Sequence, residues 1–150
     1  MTYANARKRI VDVVEAAKPT VKAKGLGEAF RFDTAGGPSV VVSAPRRFHF
    51  RMVAGGLRGP FRARANTVRL NCELIVEYVA MNDNGALDAA VVADFVVIAT
   101  ALSSADLQFD TTGLRLIGGE NAVDLFTFTV DESPTTTRLR IRFPIEVRND

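Results

Sequence analysis

An α/β (α+β) domain built on a mixed, mostly antiparallel sheet follows from three features of the sequence. Val68 to Ala80 alternates, with Val68, Leu70, Cys72, Leu74, Val76, Tyr78 and Ala80 on one face and Arg69, Asn71, Glu73 and Glu77 on the other, as a half-buried strand does. Residues 86–104 are too long and too apolar for a strand, and their polar members Asp88, Asp94 and Thr100 recur every six residues. On a helix that spacing scatters them by about 120° and leaves no polar face. Such a helix is expected to be covered nearly all round, with Asp94 either partnered or lying at a subunit contact. Thr137 to Val147 alternates again, carrying Leu139, Ile141, Phe143, Ile145 and Val147 against Arg138, Arg140, Arg142 and Arg148.

Taken from the start, Ala6, Ile10, Val13, Val14 and Ala17 make one helical stripe that Pro19 terminates, which predicts an amphipathic N-terminal helix lying on the sheet. Residues 20–28, with Lys22, Lys24, Gly25 and Gly27, read as an extended basic connection; Gly25-Leu-Gly27 lacks the third glycine of a dinucleotide fingerprint. Phe30 and Phe32 begin a short strand, residues 33–37 turn it, and residues 39–43 supply a Val-rich second one. Residues 48–54 form the next strand. The turn Gly55-Gly-Leu-Arg-Gly-Pro60 then leads into residues 61–80, so the two arms predict a long projecting β-hairpin. After the central helix, residues 113–117, 122–130 and 137–147 are three closing strands. Pro144 lacks a ladder donor and so assigns the last of them to a sheet edge or a bulge.

Length and composition fit one domain spanning residues 1–150: 47% apolar and 24% charged is globular, and 150 residues can bury a core without staples. A single cysteine, Cys72, excludes an internal disulfide; on the apolar face of its strand it is a small core residue. Asp12 and Glu15 interrupt the apolar run a signal peptide would need, so no export signal is expected. Asp94 in the middle of the central helix argues against a membrane span.

The chemistry on offer is sparse. His49 is the only histidine, which leaves no His-rich metal site, and the serines stand in no nucleophile-elbow pattern, so His49 is assigned an exposed structural role. Asn82-Asp-Asn-Gly85 falls short of a calcium loop, since the outer acidic positions are Ala80 and Val91. Glu73 and Glu77 share a strand face and are expected to be solvated or salt-bridged. No enzyme, cofactor or metal is expected.

Charge is more informative. Residues 34–72 contain seven arginines, Arg46, Arg47, Arg51, Arg58, Arg62, Arg64 and Arg69, and no acidic residue, so this segment carries +7 within a chain whose total is only +2. A basic module beside an acidic remainder suits a head-to-tail contact between copies of the chain, and these seven arginines are the candidate protein interface. Nucleic-acid binding by the same arginine-rich hairpin is the alternative, weakened by the scarcity of interleaved aromatics.

The order of elements, from the helix containing Ala4 and Ile10 through the hairpin turn at Gly55 to Pro60 and on to Leu87 and Val147, resembles that of the tail terminator (tail-completion) proteins of long-tailed bacteriophages, and more distantly other head-to-tail connector proteins. The likeness is architectural and covers nearly the whole chain, so no functional residue is carried over position by position. It implies a virion protein of the tail or neck, made in the host cytoplasm. That protein would form a ring, usually a hexamer, at the head-proximal end of the tail tube and end tube polymerisation. Its partners would be its own copies, the tail tube protein and a head connector or stopper protein, with DNA passing through the lumen without sequence-specific binding and no membrane involved.

Overall fold

The structure, a computed structural model, describes residues 3–22, 26–33, 46–53, 67–79, 84–104, 114–116, 126–134 and 136–148. Its elements are α1 (Tyr3–Ala16), β1 (Phe30–Phe32), β2 (Arg46–Val53), β3 (Thr67–Val79), α2 (Asn84–Ser104), β4 (Leu114–Leu116), β5 (Thr127–Glu132) and β6 (Thr136–Arg148). Six strands form one sheet in the order β1-β2-β3-β6, with β4 and β5 both pairing with β6. Every pair is antiparallel except β1 with β2. The fold is α+β, with the N-terminal and central helices packed on the sheet.

The core lies between the helices and one face of the sheet. Leu70, Cys72, Leu74, Val76 and Tyr78 of β3 are buried there beside Leu139, Ile141, Phe143 and Ile145 of β6 and Phe48, Phe50 and Met52 of β2. From α1 come Ala6, Ile10, Val11 and Val14, and from α2 come Leu87, Val91, Ile98, Ala99 and Leu102. Cys72 is a buried core residue, and burial pushes its thiol pKa up. Helix α1 steadies the β1 edge: near its C-terminal end the Glu15 carboxylate accepts the Phe32 N–H at 3.1 Å, and from its first half the Arg7 guanidinium lies 5.0 Å from the Phe32 ring centre.

Helix α2 departs from the expectation of all-round cover. Val92 and Val96 are each 54% exposed, and Gly85, Asp88, Ala89 and Thr100 are exposed with them. The sheet covers one side of the helix and α1 a flank, and in a two-layer arrangement the remaining side faces outward. By length and composition residues 85–103 could cross a membrane, but in this fold their central Asp94 is tied into the core.

Pro144 also needs correction. Strand β6 is interior, paired with β3 along its whole length from Val79↔Thr136 to Thr67↔Arg148. On its other side β5 pairs with residues 137–142 and β4 with residues 145–147. Pro144 thus falls in the gap between two neighbouring ladders, where a missing donor breaks no continuous pairing.

Strands β2 and β3 pair antiparallel from Arg47↔Glu77 to Val53↔Asn71, as the two arms of a hairpin do. The register of β3 is set by burial of its even-numbered side chains and by its long pairing with β6. The tip of the hairpin and the Val-rich strand expected at residues 39–43 lie outside the described residues.

Candidate functional site: the charged face of the sheet

Both helices lie on one face of the sheet, and the other face is built from the odd-numbered residues of β2, β3 and β5 and the even-numbered residues of β6. Because side chains alternate along a strand, the pattern that buries Phe48, Leu74 and Ile141 necessarily turns Arg47, His49 and Arg51 outward from β2, Glu73, Ile75 and Glu77 from β3, and Arg138, Arg140 and Arg142 from β6. Strand β5 adds Thr127, Thr129 and Asp131. Columns of opposite charge therefore alternate across the sheet. One row reads Arg47, Glu77, Arg138, Asp131 and another Arg51, Glu73, Arg142, Thr127.

Glu73 is the hub. Its Oε1 accepts from Arg51 Nη2 at 2.9 Å and lies 3.4 Å from Arg140 Nη1, while its Oε2 accepts from Arg142 Nε at 3.0 Å. The arginines remain at the surface, but the Glu73 side chain is only 9% exposed under them. Burial alone would raise its pKa; the bonds from Arg142 and Arg51 outweigh it and hold the carboxyl below its ordinary value. Arg140 also bonds Asp131, and Arg138 Nε lies 3.2 Å from Glu77 Oε1. His49 Nε2 is 3.5 Å from Glu77 and 3.8 Å from Asp33, poised to pair with either when protonated.

A second polar cluster sits inside the core. Arg46 Nη1 donates to Asp94 Oδ1, Arg46 Nη2 donates to the Val21 carbonyl, and the Tyr78 hydroxyl donates to Asp94 Oδ2 at 2.6 Å. Side-chain exposure is 2% for Arg46 and 0% for Asp94. Burial raises the Asp94 pKa, with Tyr78 and Arg46 offsetting part of the rise, and burial beside Asp94 pushes the Tyr78 hydroxyl up as well. This network joins β2, β3, α2 and the segment after α1, and every group in it except Arg46 Nε has a partner. It satisfies the expectation that Asp94 is partnered.

Arg46 accordingly leaves the set of interface arginines: it is a core residue whose charge is spent on Asp94. Arg47 and Arg51 lie on the open face, Arg51 committed to Glu73. Arg69 occupies a β3 position opposite Glu146. Arg58, Arg62 and Arg64 lie outside the described residues. Missing from the sequence-derived set are Arg138, Arg140 and Arg142, which supply the second basic column of the face. Their alternation in the last strand was the available signal; their distance from the basic segment in the chain concealed that β6 lies beside β3.

Among the described residues no three His, Cys, Asp or Glu side chains are grouped to hold a metal ion. The open face carries charges of both signs over four strands, and the hydrogen-bonding capacity of its guanidinium groups is only partly used. That suits a wide, flat, polar contact better than the enclosure of a small molecule. No protein-family model matches the chain, and no curated protein matches it.

Proposed function

We propose that the protein is a structural virion component of a long-tailed bacteriophage, a tail-terminator-like subunit that forms a ring at the head-proximal end of the tail tube. There it ends tube polymerisation and joins the tail to the head connector. The reading is carried by the order of the folded elements: an N-terminal helix, a mixed sheet that includes the antiparallel β2/β3 pair, one long central helix, then closing strands completing the same sheet. The mixed-charge face supports it, since a protein working through contacts with its own copies and with flat rings above and below needs broad polar surfaces.

Binding of nucleic acid by the arginines is the competing reading. It is weakened by the carboxylates that occupy Arg51, Arg138, Arg140 and Arg142 and by the burial of Arg46. Phosphates would have to displace those partners.

The deciding experiment is imaging of assembled tails with and without the protein, together with incorporation of an Arg62→Glu/Arg64→Glu variant. Tails of unregulated length without it, and failure of the folded double variant to incorporate, are expected. Tight duplex-DNA binding by a strict monomer, falling steeply with salt, would favour the nucleic-acid module instead.

A further inference from the structure

The two edges of the sheet are treated differently. At the β1 edge the outward Phe32 N–H is taken by Glu15 of α1. At the other edge β5 pairs, among the described strands, only with β6, and all six of its residues, Thr-Phe-Thr-Val-Asp-Glu, are exposed. This segment holds no lysine, no proline and no bulge, three of the devices that keep an edge strand from accepting another, and its two charges, Asp131 and Glu132, stand together at the loop end. All the exposed large hydrophobic residues among those described, Phe128, Val130, Val92 and Val96, are found here or next to it. Phe95 of α2 meets the Phe128 ring at 4.3 Å and joins the edge to the exposed face of the helix in one apolar strip.

The phase of the edge is readable. Ser133 N–H bonds the Thr136 carbonyl at 2.8 Å, closing the β5–β6 hairpin. By the two-residue alternation of antiparallel ladders, Asp131, Thr129 and Thr127 then bond β6, and Phe128, Val130 and Glu132 turn their N–H and C=O groups to the free edge.

We propose that β5 pairs with β5 of a second copy of this chain, antiparallel about a two-fold axis at Thr129, making one continuous sheet with the apolar strips of both copies against each other. In that register Phe128 and Val130 of one copy face Val130 and Phe128 of the other with their free backbone groups opposed, and Thr129 meets Thr129. The charges also match. Asp131 falls opposite Thr127 of the second copy, behind which stands Arg142, 60% exposed. The row Arg47, Glu77, Arg138, Asp131 thus continues into Thr127, Arg142, Glu73, Arg51 of the second copy, with charge alternating across the seam and no like charges directly opposed. Shifting the register by two residues towards the loop would set the charged Glu132 against the apolar Phe128. A two-fold contact closes on itself, so this pair is additional to any head-to-tail ring and independent of the virion reading.

The test is disulfide trapping in the full chain. Two Thr129→Cys residues would face each other in a non-hydrogen-bonded pair with Cα atoms about 4.5 Å apart, within disulfide reach. Two Thr127→Cys residues would be offset by four positions, roughly 13 Å along the strand, and out of reach. Cys72 is buried and does not compete. Under mild oxidation Thr129→Cys is expected to run as a covalent dimer of twice 16.3 kDa while Thr127→Cys stays monomeric. Light scattering should give a dimer for the unmodified chain and a monomer for Phe128→Lys/Val130→Lys. Mixing that variant with Phe128→Glu/Val130→Glu should restore the dimer, which excludes misfolding as the cause of its loss. The proposal is overturned by no cross-link at position 129, by equal cross-linking at 127, or by a dimer indifferent to the lysines. A ring that assembles without the 129 cross-link would overturn the pair and leave the virion reading standing.

Discussion

Asp94 and Glu73 are both carboxylates held by arginines, yet their surroundings make them respond differently to change. At Asp94 the charge is wholly enclosed, so removing one partner strands the other. Arg46→Met or Asp94→Asn should each cost about 3–5 kcal/mol of unfolding free energy, while the paired change Arg46→Met/Asp94→Leu should cost less than either. Tyr78→Phe removes only the hydroxyl and should cost about 1–3 kcal/mol. Urea denaturation of the four variants checks this; an additive double variant would mean the pair is not coupled. At Glu73 the useful probe is pH. Its folded-state pKa lies below the ordinary 4.5, so the unfolded chain binds the proton more readily, and the stabilisation is present above pH 4.5 and is lost as pH falls through the folded value. Glu73→Gln should therefore be less stable than the unmodified chain at pH 7, with the gap closing through the acid limb of the stability profile. A gap that is constant with pH would show that the arginines do not hold the Glu73 charge.

At the level of elements, α2 looks uniformly apolar along its length but packs on one side only. Val91 is 4% exposed and its neighbour Val92 54%, a contrast hydropathy does not reveal. Lysine at position 91 should place a charge in the core and unfold the protein or lower its melting temperature by many degrees. At 92 it should change monomer stability by no more than about 0.5 kcal/mol. Thermal melts of Val91→Lys and Val92→Lys decide it, and equal destabilisation would mean the outer face of α2 is covered. The same element-level effect accounts for β6: its proline suggests an edge or a bulge when the strand is read alone, and the ladder gap at Pro144 lets it be interior.

For the whole molecule, two arginines of the basic segment are folded onto acidic residues from outside it. Arg46 joins Asp94 and Arg51 joins Glu73, across separations of 48 and 22 residues. These two pairs subtract from the seven-arginine excess as a surface field. Duplex-DNA binding should be weak at physiological salt, and screening a charge-reversed Glu73→Arg/Glu77→Arg variant against the unmodified chain measures how far the internal carboxylates suppress it. Stronger binding by the variant is expected. Tight binding by the unmodified chain would instead mean that the pairs open readily.

The sequence by itself determined the elements with strong periodicity, because burial of one face leaves a period that local reading detects: β3, β6, the helix read over 86–104, and the polar faces of β3 and β6 opposite the core. It also showed that Asp94 called for a partner or a subunit contact, since an unpaired charge on so apolar a helix is costly to bury. Only the tertiary structure decided that the partner was Arg46, because nothing local distinguishes that arginine from its neighbour Arg47 except which side of β2 it leaves from. Strand order and register were likewise beyond local reading: β6 lies beside β3 although the whole of α2 separates them in the chain. That adjacency, set by packing two apolar faces under the same helices, brings Arg138, Arg140 and Arg142 to Glu73 and Glu77 and leaves β5, among the described strands, with a neighbour on one side only.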